Sequence, residues 1–447
     1  MAVKPPLVPH AKPIVGHALD IWRDPLKFFN SAARVAPLSR IKIGWKDACL
    51  VSNHELLYQI LVTDAKKYDK GIQYERARSM LGNGVLLAEG DFHLRQRRLM
   101  QPMFNKPSIN DYIDAMHTYS TAMVDSWADR DVVELYPEFY RLATRVVIDT
   151  LFSTKMSDRD VELVREKMPI VISGIEKRGA LPPRLFDTIP TPENRAFYSA
   201  ISDLRALGDR LVTERLDMER EHDARADLMD VLTRTDDEVA RRDNDRAQIL
   251  NEFLTFLTAG SETTPSAIAW SCYLLARHPQ IQEEVRAEVA DFDPGTNTVA
   301  AVQGLPLLQA VVREALRLYP PVWALGRRTL QTTTLGGYEL PPGTQVFYSV
   351  YAIQRDESVY DEPDEFRPHR WIDDAKKYPR TAFLPFGAGI RNCIGEHFAW
   401  VEISIAIVNI LKRYELSLQP GQQVPPAAMG ALVPGNLPMR LRRMVSR

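Results

Sequence analysis

The 447-residue sequence predicts a mainly α fold with a minor β portion, carried by one large domain. Three observations predict it. From residue 109 to residue 290 the chain is nearly all helical pattern. The β-rich runs are short and confined to the neighbourhoods of 37–52, 325–350 and 416–442. Length alone allows about two or three domains, yet no linker divides the chain, so residues 1–447 are read as one unit. The formal net charge of −2 argues against a nucleic-acid binder. Cys49, Cys272 and Cys393 are odd in number and widely spaced, which suggests neither a disulfide framework nor a zinc site and fits a reducing cytoplasm. No Cys-x-x-Cys-His run for covalent haem attachment is present.

In chain order, residues 1–18 form an extended, Pro-rich arm, too short and too rich in proline for a signal peptide or a membrane anchor. Asp24-Pro25-Leu26-Lys27-Phe28-Phe29 opens a short amphipathic helix. Ser39–Ile43 and Ala48–Val51 are paired strands around a Gly44-Trp45-Lys46-Asp47 turn. Residues 54–65 return to helix, and 66–88 are expected to be irregular, with apolar Val85-Leu86-Leu87 near their end. The next helix, 91–104, places His93 and Arg97 four apart on one face, with Arg95 and Arg98 expected outward. By itself such a run is better read as a solvated basic helix. Pro182-Pro183 and Pro190-Thr191-Pro192 mark one long connection, and the charged stretch 217–247 reads as solvated helix and loop.

Residues 247–277 form one long helical pattern with an unusual centre. Gly260 sits mid-helix at a cost of about 1 kcal/mol relative to alanine, and Glu262 with Thr263 and Thr264 follows an apolar run. A small residue permits close backbone approach, and a threonine can bond a carbonyl one turn back. A helix crossing at Gly260 with an exposed Glu262 explains the same residues equally well. Pro265 adds local distortion. Downstream, Glu314 and Arg317 are three apart and followed by Pro320-Pro321; in isolation they read as a surface ion pair. Finally, Phe386-Gly387-Ala388-Gly389-Ile390-Arg391-Asn392-Cys393-Ile394-Gly395 leads straight into an apolar helix. It is a tight loop that presents one sulfur at a helix start, where a thiolate is favoured. Phe386 can shield that sulfur, and Arg391 offers a positive charge. For a lone cysteine, a buried free thiol in a Gly-rich turn would be the plainer reading.

The complete spacing Phe-x-x-Gly-x-Arg-x-Cys-x-Gly at 386–395 resembles the haem-binding loop of the cytochrome P-450 superfamily. Three further landmarks occur in the family's order: the 93–97 helix, Ala259-Gly260-Ser261-Glu262-Thr263-Thr264, and the 314–317 pair. Pro13-Ile14-Val15-Gly16-His17 resembles its start-of-domain signature. The resemblance spans essentially the whole chain and implies the cytochrome P-450 fold. It implies haem b with Cys393 as axial thiolate, and a loop in which Phe386, Gly387, Arg391 and Gly395 contact the cofactor. His93, Arg97 and Arg327 are implied as propionate ligands, with Arg328 one position away from the same role. Ala259 and Gly260 would lie beside the haem, and Glu262 and Thr263 would form an acid–alcohol pair supplying protons for dioxygen activation. Glu314 and Arg317 become a structural pair whose third partner is Arg370. Gln354-Arg355-Asp356 stands where relatives often carry His-Arg-Asp.

The implied activity is monooxygenation, with dioxygen as co-substrate. Electrons would pass from NAD(P)H through a separate reductase and a ferredoxin or flavodoxin, because no glycine-rich dinucleotide fingerprint is seen. Arg95 and Arg98 would help form a docking surface for an acidic redox partner. The implied substrate is small and lipophilic, with Val85, Leu86, Leu87, Phe253, Leu257, Trp323, Ala324, Leu325 and Leu432 as candidate pocket residues and Ala431 beside the last. The overall look is similar to bacterial oxygenases of terpene and other secondary metabolism. Fatty-acid or macrolide hydroxylation and oxidative cyclisation or coupling stay open. A haem-thiolate sensor or a peroxide-driven enzyme would have no need of Glu262 and Thr263. A monomer is expected.

Overall fold

The structure, a computed structural model, describes residues 3–179, 189–218, 226–233, 238–292, 298–372 and 377–444. Its helices are α1 (Ala18–Arg23), α2 (Pro25–Ala33), α3 (His54–Tyr58), α4 (Ile72–Leu81), α5 (Gly90–Met100), α6 (Lys106–Asp125), α7 (Leu135–Phe152), α8 (Asp158–Gly179) and α9 (Pro192–Asp217). They continue with α10 (Leu228–Thr233), α11 (Glu238–Asp243), α12 (Arg246–Arg277), α13 (Pro279–Val289), α14 (Val299–Gln303), α15 (Pro306–Leu318), α16 (Val350–Ile353) and α17 (Glu396–Arg413). The strands are β1 (Leu38–Ile43), β2 (Lys46–Val51), β3 (Tyr68–Asp69), β4 (Val132–Glu134), β5 (Ala324–Thr329), β6 (Thr333–Leu335), β7 (Tyr338–Leu340), β8 (Gln345–Ser349), β9 (Tyr414–Leu418), β10 (Pro426–Met429), β11 (Ala431–Pro434) and β12 (Pro438–Arg443).

The axis of the molecule is α12. Its 32 residues span about 48 Å at the α-helical rise. Asp245 starts it by accepting the Gln248 N–H at 2.8 Å. A surface helix would bury one stripe, but α12 is buried almost all round, packed by α7, α9, α15 and α17. Pro265 is accommodated inside it. One large apolar core surrounds this helix, and smaller clusters lie around the five-stranded sheet. That sheet runs β1-β2-β8-β5-β3, antiparallel except for the β2–β8 pair. The N-terminal arm lies along its edge, with the Val8 N–H donating to the Arg40 carbonyl at 2.9 Å.

Several local expectations are corrected. Residues 72–81, expected to be irregular, form α4, which packs on α8 and α12; its weak amphipathicity hid it from periodicity. The stretch 54–65 changes from α3 to a π-helical turn at Gln59–Thr63. Within the expected helical run, Val132–Glu134 forms β4 against β12, a pairing across more than 300 residues that local pattern cannot reveal. The charged 217–247 stretch is not simply solvated: Arg215 is buried and bonds Asp227 at 2.6 Å and Asp230 at 3.1 Å. The Pro182-Pro183 connection lies outside the described residues, and Pro192 begins α9.

Candidate active site

The loop before α17 is built from glycines with positive φ. Gly387 has φ 71° and Gly389 φ 68°, and a Cβ on Gly389 would sit 2.2 Å from the Leu61 carbonyl oxygen. The Cys393 N–H donates to the Phe386 carbonyl at 2.8 Å and closes the loop. Arg97 braces it from α5, donating to the Asn392 carbonyl and to Asn392 Oδ1, each at 2.6 Å. Phe386 packs toward Trp400, with ring centroids 6.0 Å apart. Cys393 carries accessible surface although protein surrounds its sulfur closely enough that burial pushes the thiol up to about 11. The loop thus leaves part of Cys393 accessible. The Gly395 N–H and Arg97 pull the thiol pKa down only partly, and Glu396 opposes them. Two expectations change here. The helix start does not by itself make a thiolate, because burial outweighs it. Arg391 does not serve the sulfur: it donates to the Ala88 carbonyl at 2.6 Å and pairs with Glu89.

On α12, every residue from 252 to 276 is buried except Ala259, Gly260 and Thr263. Ala259 and Thr263 lie one turn apart, and the Thr263 hydroxyl donates to the Ala259 carbonyl at 2.8 Å. Thus this helix, too, leaves one turn accessible. Phe104 links the two sides: its ring stacks on Phe256 of α12 at 5.5 Å and lies against Gly395. Gly260 has a different reason to be small. A Cβ there would meet Val147 of α7 at 2.9 Å, so this glycine serves a helix crossing.

Glu262 is buried, not exposed, and points to α7, where the Tyr140 hydroxyl donates to it at 2.9 Å. Burial raises its pKa to about 7, Tyr140 opposes that rise, and nearby Glu176 adds to it. Burial likewise brings Glu176, on α8, to about 7. The sequence carried no signal for Tyr140, 122 residues away. On α17, Glu402 is buried and pushed to about 8 by burial, opposed by its neighbour Thr264.

A cluster of cations lies near the same loop. His93 is buried and held neutral, with its pKa lowered to about 3 by burial, Arg391, Lys70 and Arg97. Lys70 is buried and its pKa falls well below the ordinary value, through burial and then Arg391 and Arg327. Among the described residues its ammonium makes no ion pair; it lies 5.0 Å from the Tyr74 ring centroid. Arg327 donates to the Gly326 carbonyl at 2.8 Å and lies beside Tyr74. Arg328 is committed elsewhere, to Asp69 at 2.6 Å and Glu75 at 2.9 Å. Lys70, Arg97, Arg327 and Arg391 thus converge with Glu89 as the nearby carboxylate, an excess of positive charge that suits an anionic ligand. Lys70 and Tyr74 were not singled out in the sequence, since both fall in the stretch expected to be irregular.

Behind the loop, Glu314 and Arg317 form a fully buried bidentate pair at 2.8 and 2.9 Å, not a surface bridge. Arg370 joins Glu314 at 3.0 Å and Trp371 Nε1 donates to it at 2.7 Å. Gln354 takes up the neighbouring carbonyls of Leu316 and Arg317 and receives the Leu384 N–H, tying α15 to the start of the loop.

The proposed pocket residues divide. Leu86, Trp323, Ala324 and Leu325 carry accessible surface; Val85, Leu87, Phe253, Leu257 and Leu432 are buried. Phe253 packs on Phe152 at 4.7 Å, and helical spacing puts Leu257 with it and Gly260 on the α7 face, so these two are core residues. Trp323 turns its ring to Phe29 at 5.9 Å. Leu432 acts through its carbonyl, which accepts from Ser266 Oγ at 2.6 Å and Trp270 Nε1 at 2.8 Å. Arg98 is exposed, and Arg95 is partly exposed and pairs with Asp243 at 2.7 Å, which offsets its charge on the expected docking surface. No described helix is long and apolar enough to cross a membrane.

A family model described as Cytochrome P450 matches residues 5–441. Cyclooctat-9-en-7-ol 5-monooxygenase of Streptomyces melanosporofaciens is 35% identical over 96% of this chain and 94% of its own length. Pentalenene oxygenase of Streptomyces avermitilis is 34% identical over 97% and 96%. The fold matches the crystal structure of the cytochrome P450DA heme domain with a TM-score of 0.87 at 24% identity, covering 100% of this chain and 99% of that one. A cysteine loop, a long buried central helix and a buried Glu–Arg–Arg cluster thus occur within a match that runs from end to end, and the chain belongs to the cytochrome P450 family of monooxygenases.

Proposed function

We propose that this enzyme inserts one oxygen atom from dioxygen into a small, lipophilic, terpene-like molecule. The observations that carry the reading are the accessible Cys393, the accessible Ala259–Thr263 turn of an otherwise buried helix, and Phe104, which touches both elements. The terpene-like substrate class rests on similarity to proteins named for oxygenation of cyclooctat-9-en-7-ol and pentalenene. When bound, haem b supplies dioxygen binding, and its thiolate ligand favours O–O cleavage.

The chain's residues supply the rest. Cys393 would be the metal ligand, held as a thiolate by the metal despite its raised pKa. His93, Arg97, Arg327 and Arg391 would hold the propionates, joined by Lys70, whose buried ammonium would gain a counter-charge there. Phe386 and Gly387 shape the loop that would hold the haem, and the Gly395 N–H donates to the sulfur. Thr263 holds a hydroxyl proton at the accessible turn, oriented by the Ala259 carbonyl. Glu262, poised near neutrality, resupplies that proton from the Tyr140 and Glu176 side. The buried surroundings of α12 keep bulk water from the turn. Electrons come from NAD(P)H through a reductase and a ferredoxin.

Two experiments test this. Spin-state titration with panels of terpenes, fatty acids and macrolides should show a low-spin to high-spin shift with terpenes; a shift with another class alone would reassign the substrate. Thr263→Ala should bind haem normally yet consume NAD(P)H without matching product and release peroxide. Unchanged coupling would contradict the role given to Thr263.

A further inference from the structure

The four most exposed large apolar side chains of the described residues all belong to the first 45 positions: Ile14 at 85%, Val3 at 77%, Trp45 at 76% and Trp22 at 75%. Single exposed apolar residues are ordinary; their concentration in one region is not. The structure holds the segments that bear them close together. The Gly44 N–H donates to the Val15 carbonyl at 3.1 Å, which sets Ile14 beside the β1–β2 turn that carries Trp45. The His17 N–H donates to the Lys42 carbonyl at 2.7 Å, and α1, bearing Leu19 and Trp22 three apart, starts at the next residue.

This platform is fixed. His17 is buried, and its ring bonds the Val8 carbonyl at 3.1 Å and accepts the Lys42 N–H at 3.0 Å. Gly16 has φ 60° and no room for a Cβ, which would lie 2.5 Å from the Lys42 carbonyl oxygen. Ile14 itself has φ 69°, a left-handed conformation that β-branched residues avoid. The fold therefore presents this isoleucine to solvent at a conformational cost.

The charge around these tips is one-sided. Residues 3–47 contain eight Lys and Arg and three Asp, in a chain whose formal net charge is −2. The three carboxylates are committed: Asp20 to Lys12 at 3.2 Å, Asp47 to Arg40 at 2.9 Å, and Asp24 to the α2 N-terminus. Lys4, Arg23, Lys27, Lys42 and Lys46 have no ion-pair partner among the described residues.

We propose that this face docks reversibly on an anionic lipid bilayer. Indole and aliphatic tips would enter the interface, and the uncommitted cations would meet acidic headgroups. An acidic protein offers the charge as well. However, the apolar groups here stand as separate tips on an arm, a helix and a turn, and indoles favour the bilayer interface. The proposal does not depend on the identity of the substrate.

The test is co-sedimentation of the haem-loaded enzyme, followed by its Soret absorbance, with vesicles of phosphatidylglycerol and phosphatidylcholine or of phosphatidylcholine alone. Binding should favour the anionic vesicles by at least about tenfold and weaken as salt rises. Trp22→Ser with Trp45→Ser, and separately Lys4→Glu with Lys46→Glu, should each lower it about tenfold or more while leaving the thiolate-haem spectrum unchanged. These side chains are exposed, so folding is not at stake. Equal binding to both vesicle types, no binding to either, or binding indifferent to both double variants would overturn the proposal. So would capture by soluble polyglutamate at salt concentrations where the anionic vesicles do not bind.

Discussion

Tyr140→Phe removes the hydroxyl that donates to Glu262 at 2.9 Å and leaves the ring, with its packing, in place. The sign of the effect follows from the groups around that carboxyl. Burial and Glu176 favour the neutral acid, and the Tyr140 bond favours the ionised form, with the balance near pH 7. Tyr136, also on α7, is held neutral and adds no compensating charge. A hydrogen bond to a charged group is worth about 1.5–3 kcal/mol. At about 1.4 kcal/mol per pH unit, its loss raises the Glu262 pKa by about one to two pH units. Near pH 7.5 the wild-type carboxyl is then substantially ionised, and in the variant mostly protonated. The assay is the infrared carbonyl band of Glu262, titrated with pH and assigned by subtracting the spectrum of Glu262→Gln. The pH dependence of product formed per NAD(P)H consumed should move upward by the same amount. An unchanged carbonyl titration, or a downward shift, would refute the account of how Glu262 is tuned.

Glu314→Gln leaves the buried guanidiniums of Arg317 and Arg370 without their carboxylate. Breaking such a buried pair costs about 3–5 kcal/mol, so the urea midpoint should fall sharply; a loss below about 1 kcal/mol would show that the network does not hold the fold. Glu402 has its folded pKa raised to about 8 from 4.5. Its contribution is fully present below the unfolded pKa and is lost as pH rises through the folded value. Thermal midpoints of wild type and Glu402→Gln should therefore run parallel below about pH 4.5 and separate toward pH 8, with the wild type falling more steeply. Parallel curves across the whole range would contradict that placement of Glu402.

The sequence was most legible where chemistry needs a local pattern. The loop from Phe386 to Gly395 and the α12 centre each fall within about ten residues, so the family resemblance could attach to them, although the α12 centre by itself read equally well as a helix crossing. Helices with strong periodicity were equally clear; α12 runs 246–277 against an expected 247–277. What escaped depends on partners distant in sequence. Tyr140 becomes significant only because α7 lies against α12, and Lys70 only because α4 and β3 bring it to Arg327 and Arg391. At Gly260 a helix crossing was legible as one of two readings. Its smallness was visible, but the neighbour requiring it, Val147, was not. Apolar character also could not separate pocket from core: Phe253 and Leu257 look like pocket residues by composition, and only the helix phase assigns them to α7.

The central claim is that Cys393 is the working thiolate of a haem oxygenase, and the reduced carbon-monoxide difference spectrum tests it most directly. The purified wild-type protein should give the strongly red-shifted Soret band of thiolate-ligated haem, and Cys393→Ala should abolish that band. A wild-type band where histidine-ligated haem absorbs, or a thiolate band that persists in Cys393→Ala, would contradict the account.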